Sequence, residues 1–153
     1  MVAGYLPIRA AWPEEKPISV RVSANDWAPG GADGDDAVAL AAVLKARGCD
    51  IVDVSSGQVV SYQKPEYGRL YQTPFSDRIR LEVEMPTMTV GNIQSYGDIN
   101  GILAGGRADI CVLARAHLYD PYYARHAARA MGYDLPLPPQ YQSIEGWEPR
   151  LTD

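Results

Sequence analysis

The chain has 153 residues, 46% of them hydrophobic and 22% charged, with a formal charge of −5. That length holds one compact domain but falls short of the ~250 residues usual for an eight-stranded (β/α) barrel. An acidic balance with no basic stripe argues against a nucleic-acid partner, and no apolar run approaches the ~18 residues of a membrane span.

In residues 5–12, Leu6 and Ala10, or Ile8 and Trp12, fall at helical spacing. Pro7 sits awkwardly within that run and Pro13 stops it, so a disordered arm is the competing reading. Residues 17–23 alternate Ile18, Val20 and Val22 with Ser19, Arg21 and Ser23, the pattern of a strand with Arg21 on the face opposite the valines. Arginine inside a barrel strand is costly to bury unless an anion or acceptors surround it; an exposed arginine on an edge strand is the plain alternative. A Pro/Gly-rich loop, 25–35, is long enough to shape the mouth of a site. Asp33 then caps a helix over 37–47, with Asp36 in its first turn, Val38, Ala41, Ala42 and Lys45 on one face, and Gly48 at its end. The cluster Asp33, Asp35, Asp36 lacks the rest of a calcium loop and reads as capping.

Residues 50–56 form a second strand around Ile51, Val52 and Val54, and the turn 55–58 points serine hydroxyls at its C-terminal edge. The irregular loop 59–70 leads to Tyr71; Tyr62, Tyr67 and Tyr71 either line a substrate mouth or pack the loop onto the rim. Thr73-Pro74 starts the next helix, with Phe75, Ile79 and Val83 inward, and Met85-Pro86 closes it. The stretch 87–115, TMTVGNIQSYGDINGILAGGRADICVLAR, reads strand, turn, helix, turn, strand. Thr87 to Val90 are the first strand and Gly91-Asn92 the turn. Ser95 and Asp98 make a capping box, Ile99, Ile102 and Leu103 share a face, and Gly105-Gly106 end the helix in the left-handed conformation. Residues 109–113 are the fourth strand, which delivers Ala114 and Arg115 to its C-terminal end. Two parallel strand ends then offer backbone N–H groups and a cation at one edge, which suits a phosphate monoester. The same spacing also suits an ordinary βαβ unit whose glycines merely end elements.

Asp120-Pro121 caps a last helix through Ala130, and from Tyr133 the chain turns proline-rich. His117 and His126 have no carboxylate or cysteine at a ligand spacing, so no metal site is expected. Cys49 and Cys111 are isolated, without a CxxC or CxH spacing, and suit buried free thiols in a reducing, cytoplasmic protein with no visible signal peptide.

Four of these stretches, PISVRVSANDW at 17–27, GCDIVDVSSGQ at 48–58, YQTPFSDRIR at 71–80, and VGNIQ followed by GGRADICVLAR at 90–115, occur in the order of a known family. Together they make residues 8–142 resemble the second half of the barrel in the Old Yellow Enzyme family of FMN-dependent reductases. Among the family's branches, they resemble the Old Yellow Enzyme-like domain of the salicylyl-CoA and anthraniloyl-CoA monooxygenases. The resemblance implies an α/β fold, the C-terminal half of a TIM (β/α)8 barrel, over residues 1–135, with a proline-rich tail at 136–153. It implies FMN as cofactor and NAD(P)H as reductant, with hydride passing to a small-molecule substrate bearing an activated C=C or an aromatic acyl-CoA. It assigns Arg21 to the flavin pyrimidine edge, and Gly91, Asn92, Ala114 and Arg115 to the FMN phosphate. It also makes the first residues the second half of a longer helix.

The family's first half supplies the histidine pair, or histidine and asparagine, that holds the substrate, and the tyrosine proton donor; nothing in this chain corresponds to them, so no catalytic residue is assigned. The arginine-bearing C-terminal motif of one family branch is also absent, Ser143 standing near its place. A half barrel leaves two strand edges and an inner face bare, so a complementary half-barrel chain or a homodimer is the expected partner. A truncated, non-catalytic product and a different phosphate-binding half barrel are the competing readings.

Overall fold

In the computed structural model, which describes residues 2–147, the alternating valines build a four-stranded sheet. β1 (Ser19–Ser23), β2 (Ile51–Ser55), β3 (Thr87–Thr89) and β4 (Ile110–Cys111) lie side by side in chain order, every neighbouring pair parallel. Parallel neighbours need a crossover, and helices supply it. α1 (Val2–Ala11) comes first, so the opening residues are helical rather than a disordered arm, with Pro7 inside the helix. α2 (Gly34–Ala46) follows β1, α3 (Thr73–Val83) follows β2, and α4 (Tyr96–Ala104) follows β3. This is the expected α/β alternation, an open part of a (β/α) barrel.

Burial alternates along the strands because, among the described residues, only one face of the sheet is covered. Val22, Val52 and Val54 are buried with Ala37, Ala41 and Leu44 of α2 and Ile79 of α3. Thr87 and Thr89 share the rows of Val52 and Val54, and the Thr89 hydroxyl meets that of Thr73 on α3 at 3.3 Å. The buried stripe of α2 is thus Ala37, Ala41 and Leu44; Ala42 and Lys45, expected to share it, are exposed. Lys45 instead donates to the carbonyls of Val83 (2.7 Å) and Glu84 (2.9 Å), which α3 leaves without helical partners at its end. A second cluster joins Ile93, Ile102 and Ala108 with Ile99, Cys111 and Leu113; Leu103 faces out. Cys49 and Cys111 are free, and burial pushes both thiols up from their ordinary pKa.

The caps of α2 and α4 form where they were expected. Asp33 accepts from the N–H groups of Asp35 and Asp36 while Asp36 accepts from Asp33, and Ser95 and Asp98 repeat the exchange at α4. At the other end of α4, Gly105 stays right-handed (φ −75°) and only Gly106 turns left-handed (φ +65°). β4 is shorter than expected, two residues against five, though Asp109 and Val112 still donate across to β3.

The described residues fall into two compact units, divided between Ala114 and Arg115. The first holds the whole sheet. The second contains α5 (Arg115–Tyr119), α6 (Tyr123–Ala130) and a 3-10 turn, Pro139–Ile144. The expected Asp120 cap is replaced by a tighter local turn: Asp120 accepts from the N–H of Tyr122 and pairs with His126 at 2.6 Å, while α6 begins without a side-chain cap. Among the described residues no helix is long and apolar enough to cross a membrane.

Candidate functional site at the strand ends

The loops after β1, β2 and β3 all leave the C-terminal edge of the sheet, where parallel α/β folds place their sites. Four of the five described non-glycine residues with positive φ lie on these loops: Trp27, Gln58, Leu70 and Asn92. Side chains hold the loops together. The Trp27 indole donates to the Ser56 hydroxyl at 3.0 Å, and that hydroxyl donates to Gln72 Oε1 at 2.8 Å. Gln72 Oε1 also accepts from the Ser56 N–H, and its Nε2 donates to the Val90 carbonyl at 2.9 Å. Gln72, 4% exposed, thus ties the end of β2 to the end of β3. The serines expected to face a ligand are committed to this framework, Ser55 donating to the Val22 carbonyl at 2.9 Å.

Gly91 (φ 116°) and Asn92 (φ 55°) follow β3 with successive positive φ. A Cβ at Gly91 would run into the Gln72 side chain, so the space that requires a glycine is filled by the protein itself. The Asn92 side chain donates to the Gly68 carbonyl at 2.9 Å and accepts from Gln94 at 2.6 Å. What remains for a ligand is backbone. Among the described residues no group accepts from the N–H of Gly91, Asn92 or Ile93, nor from that of Leu113 or Ala114 at the end of neighbouring β4. Turns that gather such donors form anion-binding concavities. Arg115 succeeds Ala114 in the chain as the first residue of α5.

On the uncovered face of the sheet, Arg21, Asp53, Met88 and Ile110 stand in one row, each the register partner of the next. Arg21 donates through Nε (2.8 Å) to Oδ2 of Asp53, and its Nη2 lies 2.7 Å from the same oxygen as an ion pair. The other oxygen of Asp53 is buried and has no partner among the described residues. Gln72 and Asp53 were not singled out from the sequence. Asp53 carried one usable signal: it breaks the apolar run IVDV at the position an aligned neighbouring strand would set beside Arg21.

A family model described as the NADH:flavin oxidoreductase / NADH oxidase family matches residues 8–132. The chain is 39% identical over 140 residues to an NADPH dehydrogenase of Geobacillus thermodenitrificans (strain NG80-2), covering 92% of this chain and 40% of that protein. It is 36% identical over 140 residues to an NADPH dehydrogenase of Bacillus subtilis (strain 168), with the same two shares. The chain therefore spans about two-fifths of the length of these curated relatives. Among solved structures, a 2-naphthoyl-CoA reductase in complex with 2-naphthoyl-CoA superposes with a TM-score of 0.70 at 17% identity, over 84% of this chain and 20% of that one. DHODH from Eimeria tenella, in complex with ferulenol, gives 0.51 at 16% identity, over 75% of this chain and 35% of that one. With its parallel strands, its strand-end turns and this match over most of its length, the chain belongs to the NADH:flavin oxidoreductase / NADH oxidase family, the Old Yellow Enzyme family.

Proposed function

We propose that this chain is the FMN-binding part of an Old Yellow Enzyme-type NAD(P)H-dependent oxidoreductase, and that it is incomplete for catalysis by itself. The observation that carries the reading is the group of N–H donors without acceptors at the adjoining ends of β3 and β4. These residues fit a flavin phosphate. Gly91, Asn92 and Ala114 would donate from the backbone, and Arg115 would add charge-assisted hydrogen bonds. Arg21, on the open face, would serve the pyrimidine edge of the ring. Bound FMN supplies hydride transfer, taken from NAD(P)H and passed to an activated C=C or an aromatic acyl-CoA, while the protein binds and orients it. The uncovered sheet face and the free edges of β1 and β4 would take a complementary half barrel or a second copy of the chain.

One observation favours a second reading. The glycine at 91 is already explained by Gln72, so the turn also suits a non-catalytic assembly module whose cradle is idle. Titrating FMN and riboflavin by fluorescence quenching separates the two. The flavin reading expects FMN to bind more tightly than riboflavin. It also expects Arg115→Ala to weaken FMN at least about tenfold, a loss of ~1.4 kcal/mol, while changing riboflavin little. Equal binding of both flavins, or an Arg115→Ala variant with unchanged FMN affinity, overturns the cradle.

A further inference from the structure

We infer that Asp53 is the positioning residue for Arg21, setting the orientation in which its guanidinium meets the flavin ring. The inference rests on the flavin reading above and deepens it. Arginine on a half-exposed strand position samples many rotamers; here the side chain is 55% exposed, and Asp53 is its sole acceptor among the described residues. The grip has a specific form. Both contacts, from Nε and Nη2, fall on Oδ2, which leaves the Nη1 hydrogens uncommitted and the planar fork held along one edge. A cation held this way meets a ring edge without first paying to be ordered.

The alternative is that Asp53 is only a cross-strand partner for a surface arginine. Three features weigh against it. The acid is the more buried member, its side chain 14% exposed. Its Oδ1 is buried with no donor, a cost that a stabilising ion pair does not repay. The next residues of the row, Met88 and Ile110, are apolar, so an apolar side chain at 53 would continue the row at lower cost.

The test is a double-mutant cycle on the full chain with Arg21→Ala, Asp53→Ala and the pair, each titrated with FMN and with riboflavin. Asp53→Asn, which keeps the volume, stands in should Asp53→Ala not fold. If Asp53 acts through Arg21, its removal weakens both flavins by the same factor, about fivefold or more. The double variant then binds no worse than Arg21→Ala alone, and the absorbance spectrum of bound flavin in the Asp53 variant matches that of Arg21→Ala. A purely structural aspartate would instead lower thermal stability, leave the flavin spectrum unmoved and add its effect to that of Arg21→Ala. Either that outcome or unchanged affinity overturns the inference while leaving the flavin reading intact. An unmodified chain that binds neither flavin overturns both.

Discussion

A Cβ placed on Gly91 lies 3.0 Å from both Cδ and Cγ of Gln72, and the backbone there has φ 116°. Two separate costs thus oppose a side chain at 91: strain at positive φ and collision with a buried glutamine. Gly91→Ala is expected to destabilise by about 2 kcal/mol, within the range for strained backbone positions. Gln72→Ala alone leaves the Ser56 N–H and the Val90 carbonyl without their partner, at about 1–3 kcal/mol for such a buried loss. Because the collision disappears with Gln72, Gly91→Ala should cost about 1 kcal/mol less in the Gln72→Ala background. Urea denaturation of the four proteins reads this directly. An identical cost in both backgrounds would mean that Gln72 is not what demands the glycine.

At the scale of elements, α4 depends on one carboxylate. Asp98 is 3% exposed and accepts from the N–H groups of Gln94 (3.0 Å) and Ser95 (3.1 Å) and from Arg69 Nε (2.6 Å). Burial alone would raise its pKa, but these donors together hold it below the usual carboxylate range. Its contribution is therefore complete above the unfolded value of about 3.9 and fades as pH falls toward the depressed folded value. Asp109, held down against burial by Arg80 and the Thr87 N–H, behaves alike. The stability gap between the native chain and Asp98→Asn should be largest near neutrality and narrow below about pH 4; a gap constant from pH 7 to pH 3 would refute it. This cap was legible in the sequence because Ser95 and Asp98 interact within one turn. The strands were legible because alternation is local. The buried face of α2 was harder, since Ala41, Ala42 and Val43 offer no polar contrast to mark a side. α5, five residues with no cap, left no periodic trace. Asp53 and Gln72 were missed for a different reason. Their partners lie 32 and 18 residues away, and only the register of the assembled sheet brings them together.

The largest scale is the uncovered face of the sheet. Parallel sheets are ordinarily buried on both faces, yet here Ser19, Arg21 and Ile110 are exposed on one, Ile110 at 45%. The outer edges of β1 and β4 carry no strand partner among the described residues. Exposed edges and apolar inner positions favour pairing with another chain. At micromolar concentration the chain is therefore expected to self-associate. Co-expression with the part of the Geobacillus thermodenitrificans NADPH dehydrogenase that this chain does not match should divert it into a one-to-one complex. Sedimentation velocity distinguishes the species. Ile110→Lys sets a cation on the open row beside Met88, where a covering half would have to bury it without a partner. The variant should associate at least about tenfold more weakly, with β4's backbone pairing to β3 preserved. Should the native chain sediment as a folded monomer across that range, or should Ile110→Lys associate as tightly as the native chain, the open face is finished as it stands, and the fold closes nothing with a second half.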